Sequence, residues 1–154
     1  MAVPGGIMSA EDNKAIVTAS FDAIFNQHQV DRAAEFYAPD YLDHAAAPGT
    51  APGLEGAKQK WSAYIAALPD MRATIVDLVA EGEKVAVAWT VEGTHRGVLL
   101  GIAATGRYVR LSGMALYRLA GGKITEASEE FDKLNLMQQL GVLPASTAPA
   151  PATG

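Results

Sequence analysis

The sequence predicts an α+β fold: a cone-shaped roll in which N-terminal helices pack on a curved, mostly antiparallel sheet and enclose a pocket. Two observations lead there. Apolar residues keep helical spacing as far as Leu68, and from Met71 onward they alternate with a period of two. Helices first and a strand meander afterwards is the order of an α+β domain, not the βα alternation of a parallel sheet. A third observation sets the scale: 154 residues with 49% hydrophobic and 19% charged side chains suit one domain with a real core.

The elements follow in order. Ser9-Ala-Glu-Asp12 reads as a capping box, opening a helix that carries Ile16, Ala19, Ala23 and Ile24 and closes near Asn26. A short helix from Asp31 carries Ala33, Ala34, Phe36 and Tyr37 until Pro39 stops it. The segment 45–53, AAAPGTAPG, is a loop. Leu54, Ala57, Trp61, Tyr64, Ile65 and Leu68 form the stripe of a third helix over 54–68. Four strands are expected: Met71–Ala80, Lys84–His95, Tyr108–Leu119 and Lys123–Asp132, with turns at Glu81-Gly82-Glu83 and Gly121-Gly122. Leu134, Leu136, Met137 and Leu140, with Gly141 as the stop, close the chain as a short helix. The folded domain is expected over 9–143, with a flexible segment 1–8 before it and a disordered Pro/Ala-rich tail 144–154 after it.

Several function classes are excluded or disfavoured. A net charge of −5 argues against nucleic acid, whose binding needs a basic face. With no cysteine there is no thiol nucleophile, disulfide or Cys-based metal site. His28, His44 and His95 show no short metal-ligand spacing, so no metal is expected. The first residues lack the basic and apolar regions of a signal peptide, and no apolar run approaches bilayer length. The expectation is a cytoplasmic protein that binds a small, hydrophobic ligand, without membrane or nucleic-acid partners.

Chemistry-bearing residues concentrate in 126-EASEEFDKLNLMQQLG-141. Strict alternation from Ile124 puts Glu126, Ser128, Glu130 and Asp132 on one side, and Thr125, Ala127, Glu129 and Phe131 on the other. That cannot be a clean apolar face, so a bulge near 129–131, or a rim open to water, is expected. Glu126, Glu129 and Glu130 read as rim carboxylates, whereas Asp132 stands between Phe131 and the apolar closing helix. His95 shares the face of Val85, Val87, Trp89 and Val91, which turns it inward as either a hydrogen-bonded core histidine or a ligand contact. His44 ends 40-DYLDH-44 beside the Pro/Gly loop, and His28 reads as a surface residue. The glycines of 93-GTHRGVLLGIAATG-106 fail the spacing of a dinucleotide or phosphate loop. That segment reads instead as an irregular loop, about 96–106, lying over the pocket.

The stretches 40-DYLDH-44, 81-EGEKVAVAWTVEGTHRG-97, 101-GIAATGRYV-109, 117-YRLAGGKI-124 and 131-FDKLNLMQQLG-141, in this order, resemble the SnoaL-like polyketide cyclase family, of the nuclear-transport-factor-2-like superfamily. The resemblance covers nearly all of 12–143 and implies the α+β cone. It implies intramolecular aldol ring closure of a polyketide-like substrate, with neither metal nor organic cofactor, in a frequently homo-oligomeric protein. In the family pattern the aspartate before the closing helix, here Asp132, is the general acid/base. The histidines of the GTH and DYxDH motifs, here His95 and His44, are pocket residues. On this reading Asp132 takes a proton alpha to a carbonyl and His95, with water or Tyr37, donates to the enolate. Trp61, Ile65 and Trp89 wall the pocket. The chain departs from the family at Ser128, where a Trp is common, and at Ala103-Ala104, where a Pro pair is common. A lost indole implies an altered pocket. Water activation for hydrolysis, hydration or hydroxylation, or ligand binding without chemistry in a dimeric module, are the alternatives.

Overall fold

A computed structural model describes residues 8–145. The expected N-terminal segment, apart from Met8, and nearly all of the expected tail lie outside the described residues.

Helix α1, Ala10–Phe21, begins at the expected box: the Ser9 hydroxyl accepts from the Asp12 amide at 3.1 Å, and the Asp12 carboxylate accepts from the Ser9 amide at 3.1 Å. The helix then widens into a π-helical turn, Asp22–Asn26, and a 3-10 helix, Val30–Glu35, follows. The Asn26 side chain docks on the strand that begins at Arg72, accepting from the Ala73 amide at 2.7 Å and donating to its carbonyl at 3.0 Å. Helix α2 spans Gly53–Ala67 and α3 spans Lys133–Gln139.

The sheet has five strands, one more than the sequence reading: β1 Tyr37–Asp43, β2 Arg72–Glu81, β3 Lys84–Thr94, β4 Tyr108–Ala120 and β5 Lys123–Phe131. Their order is β1-β5-β4-β3-β2, antiparallel except for β1 beside β5. The additional strand overturns the reading of Tyr37 as helical. Pro39 ends helical structure but is tolerated in β1 because β1 is an edge, where a missing N–H breaks no ladder on the open side. The curved, unclosed sheet wraps the helices.

Inward side chains of β3 (Val85, Val87, Trp89) and β4 (Ala115, Tyr117, Leu119) pack on Val17, Phe21 and Ile24 of the first helical segment and Trp61 of α2. A second cluster, with Leu68, Met71, Leu99, Val109 and Leu136, sits where α3 and the β3–β4 loop meet.

The parity conflict in β5 is resolved by a bulge, at a different place from the one expected. Leu119 faces Ile124 but Arg118 faces Glu126, so Thr125 is the extra residue, and its hydroxyl donates to the Arg118 carbonyl at 3.1 Å. Alternation restarts after it. Ile124, Ala127, Glu129 and Phe131 therefore all face the helices, while Glu126, Ser128 and Glu130 face out.

Candidate functional site

Between the two core clusters lies a cavity of about 100 Å³. Aromatic rings dominate its wall. Trp61 of α2 lies 5.0 Å from the Tyr37 ring and 6.1 Å from Phe25, and Phe21 meets Phe25 edge-on at 5.5 Å. The π-helical turn carries Phe25 at i+4 from Phe21, so both rings reach the same space.

One end of the cavity is polar. Glu129 stands in the inward row Leu78–Val87–Ala115–Glu129, three aliphatic residues followed by a carboxylate, and the small Ala115 opposite it leaves room. Asp43, at the end of β1, forms an ion pair with Lys60 of α2, and all three side chains line the cavity. Burial raises the Glu129 pKa above the usual carboxylate range; the Lys60 ammonium opposes this and the Asp43 charge reinforces it. The phenols of Tyr37, Tyr41 and Tyr117 are pushed up by burial as well, so they remain neutral donors. The Trp89 indole N–H is buried with no hydrogen-bond partner among the described residues.

Of the residues singled out from the sequence, Tyr37, Trp61 and Trp89 meet at this cavity. The others stand elsewhere, each for a physical reason. Asp132 is exposed and caps α3, accepting from the Asn135 amide at 3.0 Å; its own amide makes the last bond to β4, to the Ser112 carbonyl at 3.0 Å, and its side chain serves the helix N-terminus. His95 is fully buried but outside the cavity wall. Its Nδ1 accepts from the Thr105 amide at 3.2 Å and lies 2.9 Å from the Thr105 hydroxyl, an arrangement that ties the two ends of the β3–β4 loop together. Its Nε2 is buried with no hydrogen-bond partner among the described residues, so the imidazole is bonded on one nitrogen only. His44 is half-exposed and bonds Glu126 at 2.7 Å, and Glu126 also bonds Arg118 at 3.0 Å. That cluster belongs to the outer side of β5, and it holds the Glu126 carboxyl below its ordinary range, His44 being the larger cause and Arg118 the smaller. Ile65 is half-buried against the second core cluster. Ser128 faces out opposite Leu116, so its small size shapes the outer sheet face and not the cavity. His28 is half-buried, with Nε2 3.4 Å from the Met71 carbonyl.

Glu129, Asp43 and Lys60 were not singled out as site residues. The signal for Glu129 was present: alternation counted back from Phe131 places Ala127 and Glu129 on its side, whereas alternation counted forward from Ile124 runs across the bulge. Asp132→Ala removes a cap, so it should cost about 1 kcal/mol of stability and leave the cavity unaltered. Chemical denaturation and an activity assay on the same preparation check this, and a large loss of activity would return Asp132 to the site.

Among the described residues no cluster of three His, Asp or Glu side chains is placed to hold a metal ion, and no helix is long and apolar enough to cross a membrane.

An open α+β cone with an aromatic cavity and a half-buried carboxylate at its polar end is the architecture of the nuclear-transport-factor-2-like class. Within that class, the chain belongs to the SnoaL-like polyketide cyclase family, whose sequence profile matches residues 15–140. TsrD from Streptomyces laurentii is similar in structure, with a TM-score of 0.82 and 26% identity over 88% of this chain and 99% of that one. IdmH from Streptomyces antibioticus, a candidate polyketide cyclase, has a TM-score of 0.70 and 29% identity over 87% of this chain and 99% of its own. AclR from Streptomyces galilaeus, a candidate hydroxylase, shares the fold with a TM-score of 0.78 at 23% identity, over 90% of this chain and 87% of that chain. No curated protein sequence matches the chain.

Proposed function

We propose that the protein is a cyclase-like enzyme that closes a ring by intramolecular aldol addition, with Glu129 as general acid/base. The observation that carries this reading is the cavity-facing position of Glu129 together with its raised proton affinity, since a base works best with a pKa near the working pH. Glu129 takes a proton alpha to a carbonyl, leaving an enolate. The enolate carbon attacks a second carbonyl carbon of the same molecule. The alkoxide so formed takes the proton back from Glu129, so atoms and electrons balance without an oxidant or cofactor. Lys60 and the neutral phenols supply positive charge and donors for the developing oxyanion, and the aromatic wall holds the chain folded. The test is α-hydrogen exchange of a probe ketone, 2-indanone, in deuterated water, compared between wild type and Glu129→Gln.

The charged pole of Glu129, Asp43 and Lys60 also favours a second reading, in which Glu129 activates water against a similar ligand. Oxygen-18 from solvent appears in the product skeleton only under that reading.

A homodimer through the outer sheet face fits the same picture. The cross-strand row Val79–Ala86–Leu116–Ser128 carries no charge, and Val79, Leu116 and the neighbouring Met114 are exposed. Met114→Asp with Leu116→Asp should convert a dimer to a monomer in sedimentation velocity; a wild-type monomer at high concentration would dispose of the idea.

A further inference from the structure

The loop between β3 and β4 ends in a tight turn whose sequence disobeys the rule for its geometry. Leu99 and Ile102 exchange both backbone hydrogen bonds, at 3.0 and 2.9 Å. The two residues between them, Leu100 at φ 50° and Gly101 at φ 77°, are both left-handed. Such two-residue turns take Asn, Asp or Gly, because a side chain with a Cβ is strained there. Gly101 obeys; Leu100 does not.

Packing in the core does not account for the leucine. Leu99 is buried in the second core cluster, but Leu100 belongs to neither cluster and is 37% exposed. Its side chain does line the cavity. The base of the loop is held firmly: His95 and Arg107 pair at 2.8 Å, the Gly106 amide donates to the His95 carbonyl at 2.8 Å, and the Arg96 amide donates to Ala67 at the end of α2 at 2.9 Å. A strained side chain on a fixed base, placed over a cavity, is a local rule broken where function would break it.

Resting on the reading of the cavity as the ligand site, we propose that Leu100 is a specificity-determining residue: it caps the cavity and sets the length of ligand that fits. The cavity, about 100 Å³ and partly open to solvent, is smaller than the roughly 150 Å³ of apolar cavities known to hold one benzene ring. With Leu100 in place a ring-sized ketone therefore seats only its carbonyl end in the cavity, the rest of the ring lying at the opening beside Leu100. A longer polyketide-like chain enters only when the side chain swings out.

Acrylamide quenching of tryptophan fluorescence tests this on the full chain, because both tryptophans, Trp61 and Trp89, line the cavity and are only 6% and 8% exposed. Leu100→Ala and Leu100→Gly should each raise the quenching constant about twofold by removing the atoms that shield the rings. Val98→Ala, on the same loop but outside the cavity wall, should not. The Gly variant should also melt above the Ala variant, the reverse of the order at an ordinary position. Wild-type quenching in both Leu100 variants, an equal rise in Val98→Ala, or an Ala variant that melts higher would each overturn the proposal. Glu129→Gln should quench like wild type, so a failure of the catalytic reading leaves this result standing on its own.

Discussion

Glu129→Gln should lose roughly 10²–10⁴ of the rate of ketone α-hydrogen exchange, the usual worth of a positioned acid or base, and at neutral pH it should nevertheless melt above the wild type. Both effects come from the same placement. Burial disfavours the charged carboxylate more in the folded chain than in the unfolded one, so the folded pKa lies above the unfolded value. Below the unfolded pKa both states bind the proton and no difference exists. As pH rises from the unfolded value through the folded one, the folded state holds a proton that the unfolded state has already released, and stability falls with pH. Above that window the wild type carries the desolvation penalty of a half-buried charge, less what Lys60 offsets, and the neutral amide of Gln avoids it. The melting-temperature gain of Glu129→Gln should therefore be present at pH 8 and vanish in acid, below the ordinary carboxylate range. A variant that exchanges hydrogen at the wild-type rate would end the proposed role of Glu129. A variant that melts lower at pH 8 would show that the carboxylate is stabilised where it stands, which the mostly apolar row around it argues against.

The change of hydrophobic period at residue 71 was enough to read the α+β class, because burial on one face writes itself into the sequence wherever pairing is regular. Regularity failed at two points. At Pro39 a residue that usually ends structure proved compatible with an edge strand, and β1 was missed with it. At Thr125 one extra residue reversed the parity of everything after it. The second failure decided the site. Counted across the bulge, alternation places Glu129 at the rim and leaves Asp132 as the inward candidate, whereas the partner of Asp132 is the first turn of α3. Tyr37, Trp61 and Trp89 were legible because large aromatics on an inward face have few other places to go. Lys60 and Asp43 were not, since their meeting depends on β1 lying beside β5 at the mouth of α2.

That dependence on register also makes one glycine critical, and Gly113→Val should abolish ligand binding while lowering stability by about 1–3 kcal/mol, the range for an overpacked core. Gly113 stands in the inward row Trp89–Gly113–Phe131, between two aromatic residues that both line the cavity. A Cβ on it would lie 2.7 Å from the Glu130 carbonyl oxygen and 2.8 Å from Cε2 of Trp89. The carbonyl belongs to the sheet ladder and has little freedom to retreat. The indole does, and the space open to it is the cavity. The branched side chain of valine would thus convert a missing Cβ on the sheet into a ring driven across the site. Thermal melting should fall by several degrees, roughly 2–4 °C per kcal/mol for a chain of this size. Tryptophan emission should shift as Trp89 moves, and 2-indanone exchange should disappear at temperatures where the variant is still folded. Gly113→Ala, with one added carbon, should show the same changes to a smaller degree. If Gly113→Val binds and turns over like wild type, the indole does not wall the cavity in the way its row requires, and the aromatic pocket around Glu129 would need to be rebuilt from a different side of the sheet.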